Sequence, residues 1–143
     1  MILFCDTSAL IKLYVEEDYS AQMERLADQA SVIAVSRITW VEAMAALSRR
    51  AREQPRDMAE IEGCKHSLRE AWSSFAFIEV NQVLVEAAGE LADAFALRAY
   101  DSVQLASARI MKQRTSEELV FACFDRRLQK AASMLSIESF GLT

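Results

Sequence analysis

Glycine and proline are nearly absent. The chain has three glycines and one proline among 143 residues, where average usage of the two together is about 12%. A dinucleotide fingerprint and a phosphate-cradling P-loop both need glycines so that backbone can approach the ligand, and neither motif is present. Turn-rich β-sandwiches and barrels are excluded on the same ground. Histidine is as scarce, with His66 alone. It stands off the apolar line Met58, Ile61, Cys64, Leu68, Trp72 and Phe75, so it reads as a surface side chain rather than the base of a Ser-His-Asp or Cys-His mechanism. If the chain is an enzyme, carboxylates carry the chemistry.

Cysteine is limited to Cys5, Cys64 and Cys123, with no C-x-x-C pair. A structural zinc site needs four N/S ligands, usually at short paired spacings, which excludes that reading. Scattered odd thiols suit small core hydrophobes in a reducing cytoplasm. The apolar start Met1–Cys5 is stopped at once by Asp6 and is no signal segment. No apolar run approaches the roughly 18 residues of a membrane span. The expected location is cytoplasmic, with no membrane contact. A basic excess is also missing, since 16 Lys and Arg against 21 Asp and Glu leave a formal net charge of −5.

What is present is 52% apolar and 26% charged sequence, which predicts one domain over residues 1–143. Ile2–Cys5, Val32–Val35, Phe77–Val80 and Leu119–Phe124 are apolar runs without alternation, the pattern of strands buried on both faces. Ser136–Phe140 reads as a last short strand. Helical spacing and caps predict Ala9–Val15 with Ser8 as N-cap, Ser20–Gln29, Thr39 to about Arg52, and Arg56–Phe75 after the break at Pro55. Three more helices are opened by Asn81, Asp101 and Asp125. Strands alternating with helices argue for parallel pairing through right-handed crossovers, hence a three-layer α/β fold.

Ligands of open parallel sheets gather outside the carboxyl ends of the strands. Asp6 follows the first strand directly, Asp125 follows the fourth, Asp101 starts the helix leading to the fourth, and Glu42 lies in the first turn of the helix after the second. Each has a structural reading. Thr39-Trp40-Val41-Glu42 fits a capping box, and Asp101 and Asp125 fit N-caps favoured by the helix dipole. Asp6 resists such a reading, because a carboxylate ending an apolar strand risks desolvation. Two carboxylates about 5 Å apart repel by about 3 kcal/mol at an effective dielectric near 20. A divalent cation removes that cost. An oxygen-only donor set selects Mg²⁺ or Mn²⁺, and such an ion supports displacement at phosphorus in a phosphate ester, nucleic acid being the common one.

The residues around these acids carry a resemblance. Asp6-Thr7-Ser8-Ala9-Leu10-Ile11-Lys12-Leu13-Tyr14, Tyr100-Asp101-Ser102-Val103-Gln104-Leu105-Ala106-Ser107-Ala108 and Phe124-Asp125-Arg126-Arg127-Leu128 resemble the acidic segments of PIN-domain nucleases, and the compact length resembles the VapC toxins of toxin–antitoxin pairs. The resemblance implies a parallel sheet of order 3-2-1-4-5 and Mg²⁺- or Mn²⁺-dependent RNA hydrolysis. Asp6, Glu42, Asp101 and Asp125 would form the metal and catalytic set. It further implies a homodimer neutralised by a small antitoxin protein. Two positions depart from the pattern. Cys123 stands where relatives often have Thr or Ser, and Gln104 where they often have His.

The net charge is the main objection to an RNA substrate, because phosphate binding normally rests on Lys and Arg. Setting the four acids aside for cations leaves the remainder nearly neutral. Basic groups cluster at Arg49, Arg50, Arg52 and Arg56, at Arg109, Lys112 and Arg114, and at Arg126, Arg127 and Lys130. Solvated helix ends are the plain reading of such clusters. Arg126 and Arg127, beside Asp125, are the preferred RNA contacts, with Thr7 and Ser8 beside Asp6. Two other classes stay open on the sequence alone: a carboxylate-based phosphotransfer or phosphatase domain, and a non-catalytic binding module in which the acids are only caps.

Overall fold

Four consecutive apolar residues, Ile2–Cys5, form β1, and all four are buried. In the computed structural model, which describes Met1–Thr143, β1 is the middle of a five-stranded sheet. The other strands are β2 (Val32–Ser36), β3 (Ala76–Ile78), β4 (Leu119–Ala122) and β5 (Glu138–Phe140). Every pairing is parallel and the order is β3-β2-β1-β4-β5, as the resemblance implies. A parallel sheet needs crossover helices, and these cover both faces.

Alternation along β1 divides the core. Ile2 and Phe4 face one layer, where Phe4 packs beside Phe121 with ring centroids 6.0 Å apart. Helices α5 (Gln82–Phe95), α6 (Ala99–Arg114) and α7 (Arg126–Met134) close this side through Leu84, Leu91, Leu105 and Leu128. Leu3 and Cys5 face the other layer, closed by α1 (Thr7–Ile11), α2 (Ser20–Gln29), α3 (Thr39–Glu53) and α4 (Met58–Trp72) through Leu10, Met23, Ala43 and Leu68. Each fully buried large apolar side chain contributes about 1.5–3 kcal/mol. Cys5 and Cys123 are buried, Cys64 is half-buried, and none is paired. His66 is exposed, as its position off the apolar line requires. No helix is long and apolar enough to cross a membrane.

Several boundaries differ from the sequence pattern, each for a local reason. Helix α1 begins at Thr7 rather than Ala9, because Asp6, not Ser8, is its N-cap and accepts the Ala9 N–H at 2.9 Å. It ends at Ile11, and Leu13, Tyr14 and Val15 follow in turns. Pro55 opens a 3₁₀ turn over Pro55–Asp57, so α4 starts only at Met58. Strand β3 covers Ala76–Ile78 and stops before Glu79 and Val80. Asp101 does not open α6, which starts two residues earlier with Arg98 at the N-cap position.

The carboxyl ends of β1, β4 and β5 are stitched together. The Asp6 N–H donates to the Ala122 carbonyl at 3.0 Å, and the Cys123 N–H to the Phe140 carbonyl at 2.9 Å. Just past β5, a Cβ on Gly141 would stand 1.9 Å from the Cys123 carbonyl oxygen. Only glycine lets the backbone pass that close, and the close pass fixes the chain leading to Asp125.

Candidate active site

Asp6 emerges from β1 with 6% of its surface exposed. One carboxylate oxygen accepts the Ser8 hydroxyl at 2.7 Å and the Ala9 N–H at 2.9 Å. Burial pushes its pKa up to about 7; the Ser8 and Ala9 hydrogen bonds work against this, and the nearby charges of Asp101 and Glu42 add to it. The Ser8 hydroxyl also accepts the Phe124 N–H at 3.1 Å. Ser8 thereby binds the exit of β1 to the exit of β4.

Glu42, in the first turn of α3, closes no capping box. Thr39 is already inside the helix and fully buried, Ile38 is the N-cap, and no side chain caps this end. Glu42 instead accepts the Thr7 hydroxyl and the Gln104 amide, each at 2.8 Å. The Gln104 amide reaches Thr39 Oγ1 at 2.9 Å as well. Tertiary donors from α1 and α6 compete with the local box, and they win because Gln104 is itself buried at 2% exposure and needs acceptors there.

Asp101 occupies the third position of α6 and takes the Arg98 Nε at 3.2 Å. Asp125 does two jobs with two oxygens. Its Oδ1 caps α7 by accepting the Leu128 N–H at 2.9 Å, while its Oδ2 faces Arg98 Nη2 at 3.9 Å. All four acids line one cavity of about 300 Å³, together with Thr7, Ser8, Arg98 and Gln104. An adjoining cavity of about 380 Å³ shares Arg98, Asp101 and Asp125 and adds Arg126 and Arg127. Together these make an open groove lined by acids and guanidinium groups.

The donors fit a hard divalent ion of the water-retaining kind. No three of the acids converge closely enough to chelate an ion by themselves. Mg²⁺ does not require that, since it keeps several waters and is commonly bound by one or two carboxylates plus substrate phosphates. The set is all oxygen, and Asp6 is desolvated among like charges, so a cation relieves the repulsion directly.

Residues 3–134 match the family model described as the PIN domain. The chain is also 32% identical over 131 residues to ribonuclease VapC45 of Mycobacterium tuberculosis, covering 92% of this chain and 89% of that protein. The chain belongs to the PIN-domain family. Its fold agrees with PIN-domain structures. A toxin–antitoxin complex from Klebsiella pneumoniae matches with TM-score 0.63 and 24% identity, over 93% of this chain and 91% of that one. VapC20 of Mycobacterium tuberculosis, described as a toxin that cleaves the sarcin–ricin loop, matches with TM-score 0.66 and 19% identity, over 90% and 94% of the two chains.

In this PIN domain, spacing alone missed two residues. Gln104, noticed only as a departure from the family pattern, is the donor that aims Glu42. Arg98, absent from the expected set, stands against Asp101 and Asp125. Its sequence signal was the i, i+3 separation from Asp101, the spacing at which an N-cap residue and a first-turn side chain meet. Thr7 and Ser8, expected at the substrate, have their hydroxyls donated to Glu42 and Asp6. Arg126 and Arg127, expected as RNA contacts, line the adjoining cavity.

Proposed function

We propose that this PIN domain is a Mg²⁺- or Mn²⁺-dependent endoribonuclease and the toxin of a toxin–antitoxin pair. The observation that carries the reading is the single cavity lined by Asp6, Glu42, Asp101 and Asp125 at the carboxyl edge of a parallel sheet. A divalent ion held there supplies Lewis acidity and a more acidic water for attack on a phosphodiester. The chain's own part is to hold and aim the donors. Ser8 and the Ala9 N–H fix Asp6, Thr7 and Gln104 fix Glu42, and the α7 cap fixes Asp125. Arg126 and Arg127 take phosphate oxygens along the groove, which lets a chain of net negative charge engage RNA locally.

Two features of the relatives support the biological setting. VapC45 is named a ribonuclease, and the Klebsiella pneumoniae structure is a complex of toxin with antitoxin. For this chain we infer a cytoplasmic homodimer silenced by a small cognate antitoxin.

The test is cleavage by purified protein. Wild type cuts RNA in Mn²⁺ or Mg²⁺ and stops in EDTA, whereas Asp6→Asn and Asp101→Asn, folded by circular dichroism, do not cut. Full cleavage by either variant, or cleavage indifferent to EDTA, overturns the assignment.

A further inference from the structure

Arg98 is oddly placed for a surface arginine. It occupies the N-cap position of α6 and reaches Asp125, the N-cap of α7. Both helix ends carry positive dipole ends, which oppose a cation, so the guanidinium is held there by the two acids alone. Its Nε is 3.2 Å from Asp101 Oδ2 and its Nη2 is 3.9 Å from Asp125 Oδ2, with the side chain 80% exposed. The backbone beneath it is pinned. Leu97 is buried, its N–H returns to the Ala92 carbonyl at 3.3 Å, and Ala96 adopts the left-handed conformation at φ 54°. The Ala96 carbonyl also takes Arg127 Nη1 at 3.4 Å. A fixed base and an open head make an arm that can change partners.

We propose that Arg98 is an internal counter-ion. It neutralises Asp101 and Asp125 when no cation is bound, and moves to an RNA phosphate when one is. The idea rests on the divalent-ion reading of the site and adds competition within it. An ion among the acids takes over their charge and releases the guanidinium to a phosphate in the adjoining cavity, whose wall it already shares with Arg126 and Arg127. Metal and substrate are thus coupled through one side chain. Arg98 weakens the metal in the absence of RNA and strengthens RNA in the presence of the metal.

The experiment is a Mn²⁺ titration of full-length protein followed by electron paramagnetic resonance, without RNA. Arg98→Gln binds Mn²⁺ about fivefold more tightly than wild type, the upper end for an exposed ion pair. Arg126→Gln removes the same charge from the same cavity but breaks only a hydrogen bond to the Thr143 carbonyl and no ion pair to Asp101 or Asp125, and tightens Mn²⁺ by less than about twofold, because an exposed charge without a direct pair contributes little. At saturating Mn²⁺, Arg98→Gln raises KM for RNA about tenfold, the low end for a lost hydrogen bond to a charged group, and leaves kcat within about threefold. Equal affinities in wild type and Arg98→Gln, equal tightening in both variants, or an unchanged KM overturns the counter-ion role and leaves the metal site standing. No Mn²⁺ binding to wild type overturns the metal reading and the counter-ion role with it.

Discussion

At Asp6 a carboxylate closes an all-apolar strand and stays almost wholly out of solvent. Its raised pKa, caused first by burial, means that the ionised form destabilises the metal-free fold. Asparagine keeps the shape and still accepts from Ser8 and Ala9. Asp6→Asn is therefore expected to melt no lower than wild type in EDTA at pH 8, and to lose the rise in Tm that Mn²⁺ gives wild type; a melting scan checks both. Gln104 acts through another residue. Its buried amide aims Glu42, while its own Oε1 has no partner. Gln104→Leu is expected to lower kcat about 10–100-fold, the range for residues that orient metal ligands, with KM for RNA unchanged and partial rescue by Gln104→His, which restores an N–H donor. Steady-state kinetics on the three proteins checks it. Asp6 and Asp125 were legible in the sequence because each follows an apolar run. The partners of Glu42 were not, because a capping box and a tertiary contact share one sequence pattern, and only the packing of α6 on α3 decides between them.

Among the elements, the turns after α1 are tied to α3 by charge. Lys12 pairs with Glu17 at 3.0 Å and lies over the Phe124 ring at 4.6 Å, and Arg50 of α3 pairs with the same Glu17. Burial raises the Glu17 carboxyl, but hydrogen bonds and charge from Arg50 and Lys12 outweigh it and hold the group below its usual 4.5. A folded-state pKa below the unfolded value adds stability above the unfolded value, and that stability is lost as pH falls through the folded one. Glu17→Gln is expected to melt below wild type at pH 7, with the gap closing under about pH 4, as thermal melts across that range will show. Element order and type were legible throughout, since unbroken apolar runs mark the strands buried on both faces and a period of 3.6 marks the helices. Ends were less so. Ser8 yields the cap to Asp6 and engages Asp6 and the Phe124 N–H instead, and no side chain caps the 3₁₀ turn at Pro55 or the start of α6 at Ala99, so no capping residue marks those two ends.

For the whole molecule, the scarcity of glycine and the net charge of −5 have one explanation. With no glycine loop to present backbone N–H groups to phosphate, the fold offers carboxylates at strand exits and helix starts, suited to a cation that can hold phosphate in their place. The alternation of strands with helices argued for parallel strands but not for their order, since right-handed crossovers permit several; the order came from the family resemblance. It is the order that matters, because β1 beside β4 brings Asp6 and Asp125 to one cavity. The most direct measurement is anomalous diffraction from crystals of the protein soaked in millimolar Mn²⁺. The expected result is a peak in the cavity shared by Asp6, Glu42, Asp101 and Asp125, absent from Asp101→Asn crystals. A cavity without a peak in wild type, or one that Asp101→Asn leaves equally occupied, contradicts it.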